Sequence, residues 1–350
     1  MSSPRSSAGG VDPAIDVLIG VLPDIARGTH PLVAGSPDAR LVSVLAAAGA
    51  KPTGWNRRSG SSGTASAWPA PGPYSSAFVR MPKSKEELDF TLDAVASGLP
   101  AGAPIAVFGA NDEGIRSAGA RLERFVETVT TLDTRRHCRV ICGPRRSQIE
   151  GYRGQLALWR HEAALDLGRG SRPWITYPGV FAHGRLDDGT RMLIADLPTL
   201  APAAHVLDYA SGTGIIAAAV REAYPNARLD LLDTDAIALS AAAENVPDAR
   251  ILPGDTLRAA GAQKYAAILS NPPIHDGVAE NLGVLERLIT DAPTRLEAGG
   301  VLQFVVQRRV KVRPLLEAAF SGIDMIADDG RFTVWRARGI GRKVSRFSRP

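Results

Sequence analysis

The sequence predicts an α/β protein made of two successive strand-and-helix halves. Three observations carry that prediction. The chain has 350 residues, more than a single hydrophobic core usually organises. Short apolar runs alternate with amphipathic helical stretches along most of its length. In the second half, one such run turns through a glycine loop into a helix, as in an open doubly wound sheet.

Residues 1–12, rich in Ser and Gly, read as a disordered tail. Apolar residues at helical spacing begin with Ile15, Leu18, Ile19 and Leu22. A short strand then leads to a turn at Ser36–Pro37 and a helix closed by Gly49. The stretch from Gly54 to Pro73 is dense in Gly, Ser, Trp and Pro and reads as a long loop. SSAFVRMP is a strand ahead of a helix over Lys85–Ser97. PIAVFGANDEGIRSAGARLERF reads as strand, glycine loop and helix, and RHCRVICG as another strand. Helical spacing resumes over Leu156–Leu167, and GRGSRPWITYPG reads as a linker. These signals place one domain at 13–168 and a second at 169–340, with a basic tail at 341–350.

The second half alternates more clearly. AHVLDYASGTG is a strand entering a glycine turn, followed by the helix IIAAAVREAY. ARLDLLDTD is a strand and AIALSAAAENV its helix. ARILPGD, YAAILSNPP, GGVLQFVVQ, DMIADDG and RFTVWRAR complete a seven-stranded doubly wound sheet whose last two strands form a hairpin-like pair.

Hydrophobic residues make up 45% and charged residues 22%, the balance of a soluble globular protein. The net charge of +5 suits a polyanion such as RNA, although an arginine-rich coding bias yields the same excess. Cys138 and Cys142 are too few for a disulfide framework and lack zinc-ligand spacing. They read as free thiols in a reducing compartment, and no metal is expected. MSSPRSSAGGVDP has no apolar signal-peptide core, and no apolar run approaches the ~18 residues of a membrane span. A cytoplasmic monomer without membrane contact is the expectation.

The chemistry concentrates at strand ends of the second half. Gly212 and Gly214 in Asp208-Tyr-Ala-Ser-Gly-Thr-Gly214 let the backbone approach a ligand closely. A dinucleotide fold would place a pyrophosphate there. The acid Asp208 instead suits an ammonium-bearing ligand, such as the methionine part of S-adenosyl-L-methionine. Asp233, about 25 residues on, sits where an acid hydrogen-bonds ribose hydroxyls, with Asp235 as the alternative. Asp255 ends the third strand and is placed to accept from the adenine amino group.

Ser270-Asn271-Pro272-Pro273-Ile274-His275 follows the apolar strand YAAIL. Two prolines fix φ and remove two donors, and Pro272 forces Asn271 into an extended conformation. The result is a stiff corner that offers acceptors, the Asn271 oxygen and the carbonyl between the prolines, to both hydrogens of an –NH2 group. Asn271, Pro272 and Pro273 are therefore the candidate catalytic residues, with Asn271 also bordering the cofactor. Ile274 and His275 are candidate substrate contacts.

At this point the sequence resembles the class I methyltransferases, and within them the ribosomal RNA small subunit methyltransferase C family. YPGVFAHGRLDDGTRML, SNPPIHDG and GRFTVWRA carry the resemblance in the second half, and MPKSKEELDFTLDAV and FGANDEGIRSAG in the first. It spans roughly residues 74–340 and implies two tandem Rossmann-like methyltransferase domains. The N-terminal one would be degenerate, aiding RNA binding or folding. The implied activity is S-adenosylmethionine-dependent methylation of a guanine N2 in 16S ribosomal RNA, with ribosomal RNA or the small subunit as partner. Asp208, Ala210, Gly212, Gly214, Asp233 and Asp255 would take the cofactor roles, and Phe181 would border the pocket. Ala210 stands where the family's loop usually has its first glycine. Ile274 stands where an aromatic usually follows the prolines and stacks on the base.

In the first half, Gly109 and Gly114 sit in a loop without a following Asn-Pro-Pro, read as inert. Lys83 and Lys85, the group Arg135, Arg136, Arg139, Arg145 and Arg146, and the tail from Arg331 to Arg349 are candidate phosphate contacts. Two other functions fit the residues: methylation of a protein glutamine or small-molecule amine, and a non-catalytic RNA-binding assembly factor.

Overall fold

In a computed structural model of the chain, the described residues are 12–36, 38–59, 65–168, 170–273, 275–276, 279–280 and 282–341. The tails at 1–11 and 342–350 and the candidate Ile274 lie outside them. The chain divides into two compact units, residues 1–160 and 161–350.

In the first unit, helix α1 (Pro13–Ile25) is followed by β1 (Pro31–Ala34), α2 (Arg40–Ala47), β2 (Thr53–Trp55) and β3 (Ser76–Arg80). Then come α3 (Lys85–Ser97), β4 (Pro104–Ala110), α4 (Ala118–Leu122), β5 (Thr130–Arg135) and β6 (Cys138–Pro144). The sheet order is β2-β1-β3-β4-β6-β5; the first four strands run parallel and the last two pair antiparallel. Ile15, Leu18 and Leu22 of α1 bury against Phe78, Phe108 and the two free thiols, Cys138 and Cys142. Helix α3 starts at Ser84, whose hydroxyl accepts the Glu87 amide. The tryptophan-rich stretch read as a loop contains β2, and Trp55 and Trp68 pack on Phe90 of α3. Trp55 is buried and Trp68 half-buried there, which fixes the described parts of the stretch, 54–59 and 65–73, against α3, and beyond Trp55 they form no further strand.

The second unit opens with β7 (His161–Asp166) and β8 (Ser171–Thr176), an antiparallel hairpin. This overturns two sequence readings, a helix over Leu156–Leu167 and a linker after it. Only Leu156–Trp159 makes a 3₁₀ turn. The Asp166 carboxylate accepts the Gly168 and Gly170 amides and closes the hairpin, which lets Leu165 and Trp174 enter the core.

Then follow α5 (Asp188–Ile194), β9 (His205–Tyr209), α6 (Ile215–Ala223), β10 (Arg228–Asp233), α7 (Ala236–Asn245), β11 (Arg250–Pro253) and β12 (Tyr265–Ser270). The remainder is β13 (His275–Asp276), β14 (Ala279–Glu280), α8 (Gly283–Asp291), β15 (Leu296–Gln307), α9 (Arg313–Ala319), β16 (Phe320–Asp328) and β17 (Phe332–Ile340). The seven-stranded sheet has order β11-β10-β9-β12-β15-β17-β16, parallel except that β17 runs against both its neighbours. Successive residues on each strand feed opposite faces. Leu207, Ile268 and Phe304 pack with α8 and α9, whereas Val206, Leu269 and Val305 pack with α5, α6 and α7. This two-sided burial makes the sheet doubly wound, as the seven apolar runs imply. No described helix is long and apolar enough to cross a membrane.

Candidate functional site

The order of the second sheet reverses between β9 and β12, the position where doubly wound sheets bind ligands. Ser270 at the end of β12 lies beside Tyr209 at the end of β9, and its hydroxyl donates to the Tyr209 carbonyl at 2.7 Å. The glycine turn and the Asn-Pro-Pro corner therefore leave from neighbouring strands, about 4.8 Å apart.

The turn uses three left-handed residues: Ala210 (φ 57°), Gly212 (φ 53°) and Gly214 (φ 89°). A Cβ on Gly214 would also sit 3.0 Å from methyl groups of Leu231 and Val246, so this position needs glycine twice over. Ala210 adopts the same kind of φ with a Cβ present, which costs about 1–2 kcal/mol. Ala210→Gly should relieve that strain and give back part of it as unfolded-chain entropy. The expected net gain is up to about 1 kcal/mol, read as a higher denaturant midpoint. A lower midpoint would mean that the Ala210 methyl contributes more by packing than its backbone loses.

Asp208 is 1% exposed. One carboxylate oxygen accepts the Ala217 amide of α6 at 3.0 Å; the other is buried with no hydrogen-bond partner among the described residues. Burial pushes its pKa up to about 8, against the Ala217 bond, and the nearby Asp233 charge pushes the same way. Asp233 accepts the Gly212 amide at 2.8 Å with one oxygen and the Asp235 amide at 2.8 Å with the other; burial raises its pKa as well. Asp235, the alternative ribose ligand, caps α7 by accepting the Ile237 and Ala238 amides. Asp255 is exposed, and its main-chain carbonyl accepts the Tyr209 hydroxyl at 2.9 Å.

At the corner, Asn271 is half-buried, Pro272 buried and Pro273 exposed. The Asn271 amide nitrogen donates to Thr190 Oγ1 at 2.9 Å and lies 3.3 Å from both Asp187 oxygens. His275 begins the two-residue strand β13; its side chain lies outside the described part. Phe181, at 70% exposure, stands in the 3₁₀ turn Phe181–Gly184. The segment carrying it is tied at both ends. Trp174 donates to Thr213 Oγ1 and Asn245 bridges Ile175 and Thr213 on the turn side, and Asp187 meets Asn271 on the other.

Sequence reading missed Asp187, Thr190, Asn245 and the β7–β8 hairpin as parts of this edge. The available signal was local: Asp187-Asp-Gly-Thr190 before an apolar helix is an N-cap pattern. It also missed the cations Arg308, Arg309, Lys311 and Arg313, which follow β15 at the same sheet edge as Asn271. By contrast, the arginine group of the first unit is not one patch. Arg135 and Arg136 lie at one end of β6, paired with Asp133 and Asp16, and Arg145 and Arg146 lie past its other end. A β-strand separates by about 3.3 Å per residue what the sequence lists together. Near Gly109, the first unit's loop is filled by protein: Arg80 makes a bidentate pair with Glu113 and also binds Asp12.

The family models described as Methyltransferase small domain and Methyltransferase small domain N-terminal match residues 173–336 and 32–153. Ribosomal RNA small subunit methyltransferase C of Ectopseudomonas mendocina is 36% identical over 273 residues, 76% of this chain and 80% of that one. The protein of the same name from Stutzerimonas stutzeri is 34% identical over 327 residues, 89% and 95% of the two chains. The chain belongs to the ribosomal RNA small subunit methyltransferase C family. It is accordingly a methyltransferase with two methyltransferase-like domains. Its fold is shared with the T. thermophilus 16S rRNA N2 G1207 methyltransferase, solved with AdoMet and guanosine. The TM-score is 0.82 at 18% identity, over 95% of this family member and 93% of that chain.

Proposed function

We propose that the chain methylates the exocyclic N2 of a guanine in 16S ribosomal RNA, with S-adenosylmethionine as the methyl donor. The family's names and the guanosine-bound relative support this substrate. The observation that carries the chemistry is Asn271, whose nitrogen is held from behind so that its oxygen remains to accept from a planar –NH2 group.

The acidic turn fits a cationic nucleoside. Asp208 keeps a buried oxygen without a partner among the described residues, Asp233 ends β10, and Asp255 stands two residues past the end of β11. When bound, S-adenosylmethionine would supply a methyl group on a positively charged sulfur, which keeps the electron pair of the broken carbon–sulfur bond and leaves as the neutral thioether of S-adenosylhomocysteine. Asp208 would face the cationic methionine end, Asp233 the ribose and Asp255 the adenine amine, while Ala210, Gly212 and Gly214 let the backbone close in. Phe181 would border that pocket. Asn271 and the carbonyl between Pro272 and Pro273 would hold the two N2 hydrogens, aiming the nitrogen lone pair at the methyl carbon. Such orientation is worth up to ~7–11 kcal/mol, so no strong base is needed. N2 then gives its extra proton to water.

Asp208→Asn separates stability from cofactor binding. Between its ordinary pKa of 3.8 and about 8, the folded state holds a proton that the unfolded state has lost. Stability from this group therefore falls as pH rises through that window. The neutral variant should gain stability relative to the natural protein as pH goes from 5 to 9, yet bind S-adenosylmethionine roughly 10–100-fold more weakly, because the cationic ligand favours the ionised form of Asp208 and then meets a charged group that Asn does not offer. A stability difference that stays flat with pH would sink the buried-acid reading.

The function is tested by incubation with methyl-labelled S-adenosylmethionine and, separately, naked 16S rRNA, small ribosomal subunits and protein extract. Label in RNA, recovered as N2-methylguanosine after digestion, is the expected result. Label confined to protein would overturn the RNA assignment, and no label in any of them would favour a non-catalytic role.

A further inference from the structure

We propose that Asp187, assisted by Thr190, is the positioning residue that decides which end of the Asn271 carboxamide meets the substrate amine. This rests on the reading of Asn271 as the amine acceptor. A carboxamide has two ends of nearly equal shape and opposite hydrogen-bonding sense. Only the oxygen end can receive an –NH2 group; the nitrogen end would present hydrogens to hydrogens. The prolines that follow stiffen the backbone but do not choose between the two ends. Something else must.

Asp187 makes the choice because an ionised carboxylate has no donor. Both of its oxygens lie 3.3 Å from the Asn271 nitrogen, and Thr190 Oγ1 takes the same nitrogen at 2.9 Å. Turning the amide over would set its oxygen against the carboxylate and lose these bonds. The negative charge behind the nitrogen also polarises the amide, making the outward oxygen a better acceptor.

The carboxylate is itself fixed by the start of α5. It accepts the Gly189 and Thr190 amides at 3.1 and 3.3 Å as the helix N-cap. Gly189 lets it sit close, since a Cβ there would fall 3.2 Å from Asp187 Oδ1. The far end of α5 is tied to β15, an interior strand of the sheet, where buried Gln303 donates to the carbonyls of Leu193 and Asp196. The helix thus transmits the sheet's rigidity to a side chain 84 residues away in sequence from the one it orients.

Asp187→Asn is the informative variant, because Asn caps helices as well as Asp does. It keeps the shape and the cap but removes the rule that the Asn271 nitrogen must face inward. With small ribosomal subunits as substrate, kcat should fall at least tenfold. The thermal midpoint and the affinity for S-adenosylhomocysteine, measured by calorimetry, should stay within about 1 °C and twofold. Thr190→Val should lower kcat several-fold, and Thr190→Ser should restore it. The reversed pair, Asp187→Asn with Asn271→Asp, should recover most of the kcat that either single change loses. The carboxamide introduced at position 187 can then donate to one oxygen of the carboxylate introduced at position 271 and leave the other oxygen for the amine.

If Asp187→Asn keeps kcat within twofold while Asn271→Ala is inactive, the positioning role is wrong and the amine-acceptor role stands. If Asn271→Ala itself stays active, the underlying reading fails instead. A kcat loss that comes with a lowered thermal midpoint and no recovery in the reversed pair would reduce Asp187 to a helix cap.

Discussion

Asn271→Ala is expected to lower kcat for methyl transfer by about 10²–10³-fold, the scale on which removal of one preorganised hydrogen-bonding group from a reacting centre is felt. The affinity for S-adenosylmethionine should stay within a few-fold. The argument for that split is geometric. The bonds of Asn271 run to Asp187 and Thr190, whereas the turn is organised by Asp233, through the Gly212 amide, and by Asp208, through α6. Truncating the carboxamide removes the acceptor for the amine and leaves the turn's hydrogen bonds in place. The loss should appear in kcat because the oxygen matters most when the nitrogen lone pair must point at the methyl carbon. The measurement is methyl incorporation into small subunits at saturating cofactor, with S-adenosylhomocysteine binding as the control. Retained turnover would remove Asn271 from the chemistry. Lost cofactor binding would move it to the cofactor pocket.

Asn271 could be singled out from sequence because its neighbours act locally. Two prolines restrict the backbone wherever they occur, and glycines after an apolar strand announce a tight turn to a helix. The seven strands of the second sheet were legible for a related reason: each is a short apolar run bounded by turn residues. The insertion of β17 between β15 and β16 was not, since nothing local in GGVLQFVVQ or RFTVWRAR names its partner. The β7–β8 hairpin was misread because the apolar positions of β7 fit helical spacing and the Gly and Pro around β8 read as a linker; the Asp166 turn and the burial of Trp174 decide otherwise. Asp187 and Thr190 escaped for a deeper reason. Their role exists only when the start of α5 meets the residue that follows β12, a contact across more than 80 residues. Rigid corners are written in adjacent residues, but what orients them is written in the tertiary fold.

The largest stability effect is expected in the first unit, at Asp93. This carboxylate is 1% exposed on α3, where sequence pattern gives no reason to bury a charge. Its oxygens accept the Arg153 amide at 3.0 Å, the Gly154 amide at 2.7 Å and the Trp159 indole N–H at 2.9 Å. The Arg153 guanidinium lies 4.0 Å over the Trp159 ring, and Phe90 meets the same ring edge-on. One buried acid therefore docks the whole 153–159 stretch onto the helix. Asp93→Ala leaves three donors without their acceptor, at about 1–3 kcal/mol each if they stay buried, less the desolvation cost that the charge no longer bears. The net loss should be about 3–5 kcal/mol, a large share of the 5–15 kcal/mol that holds a typical domain together. It should appear as an earlier denaturation transition of the first unit with a red-shifted tryptophan emission, because Trp159 becomes free to meet water. Asp93→Asn should cost less, since its oxygen can still accept from the backbone while its –NH2 must oppose a donor. A loss under about 1 kcal/mol in Asp93→Ala, the low end of that scale, would show that water replaces the carboxylate, and that the aromatic stack alone holds the segment.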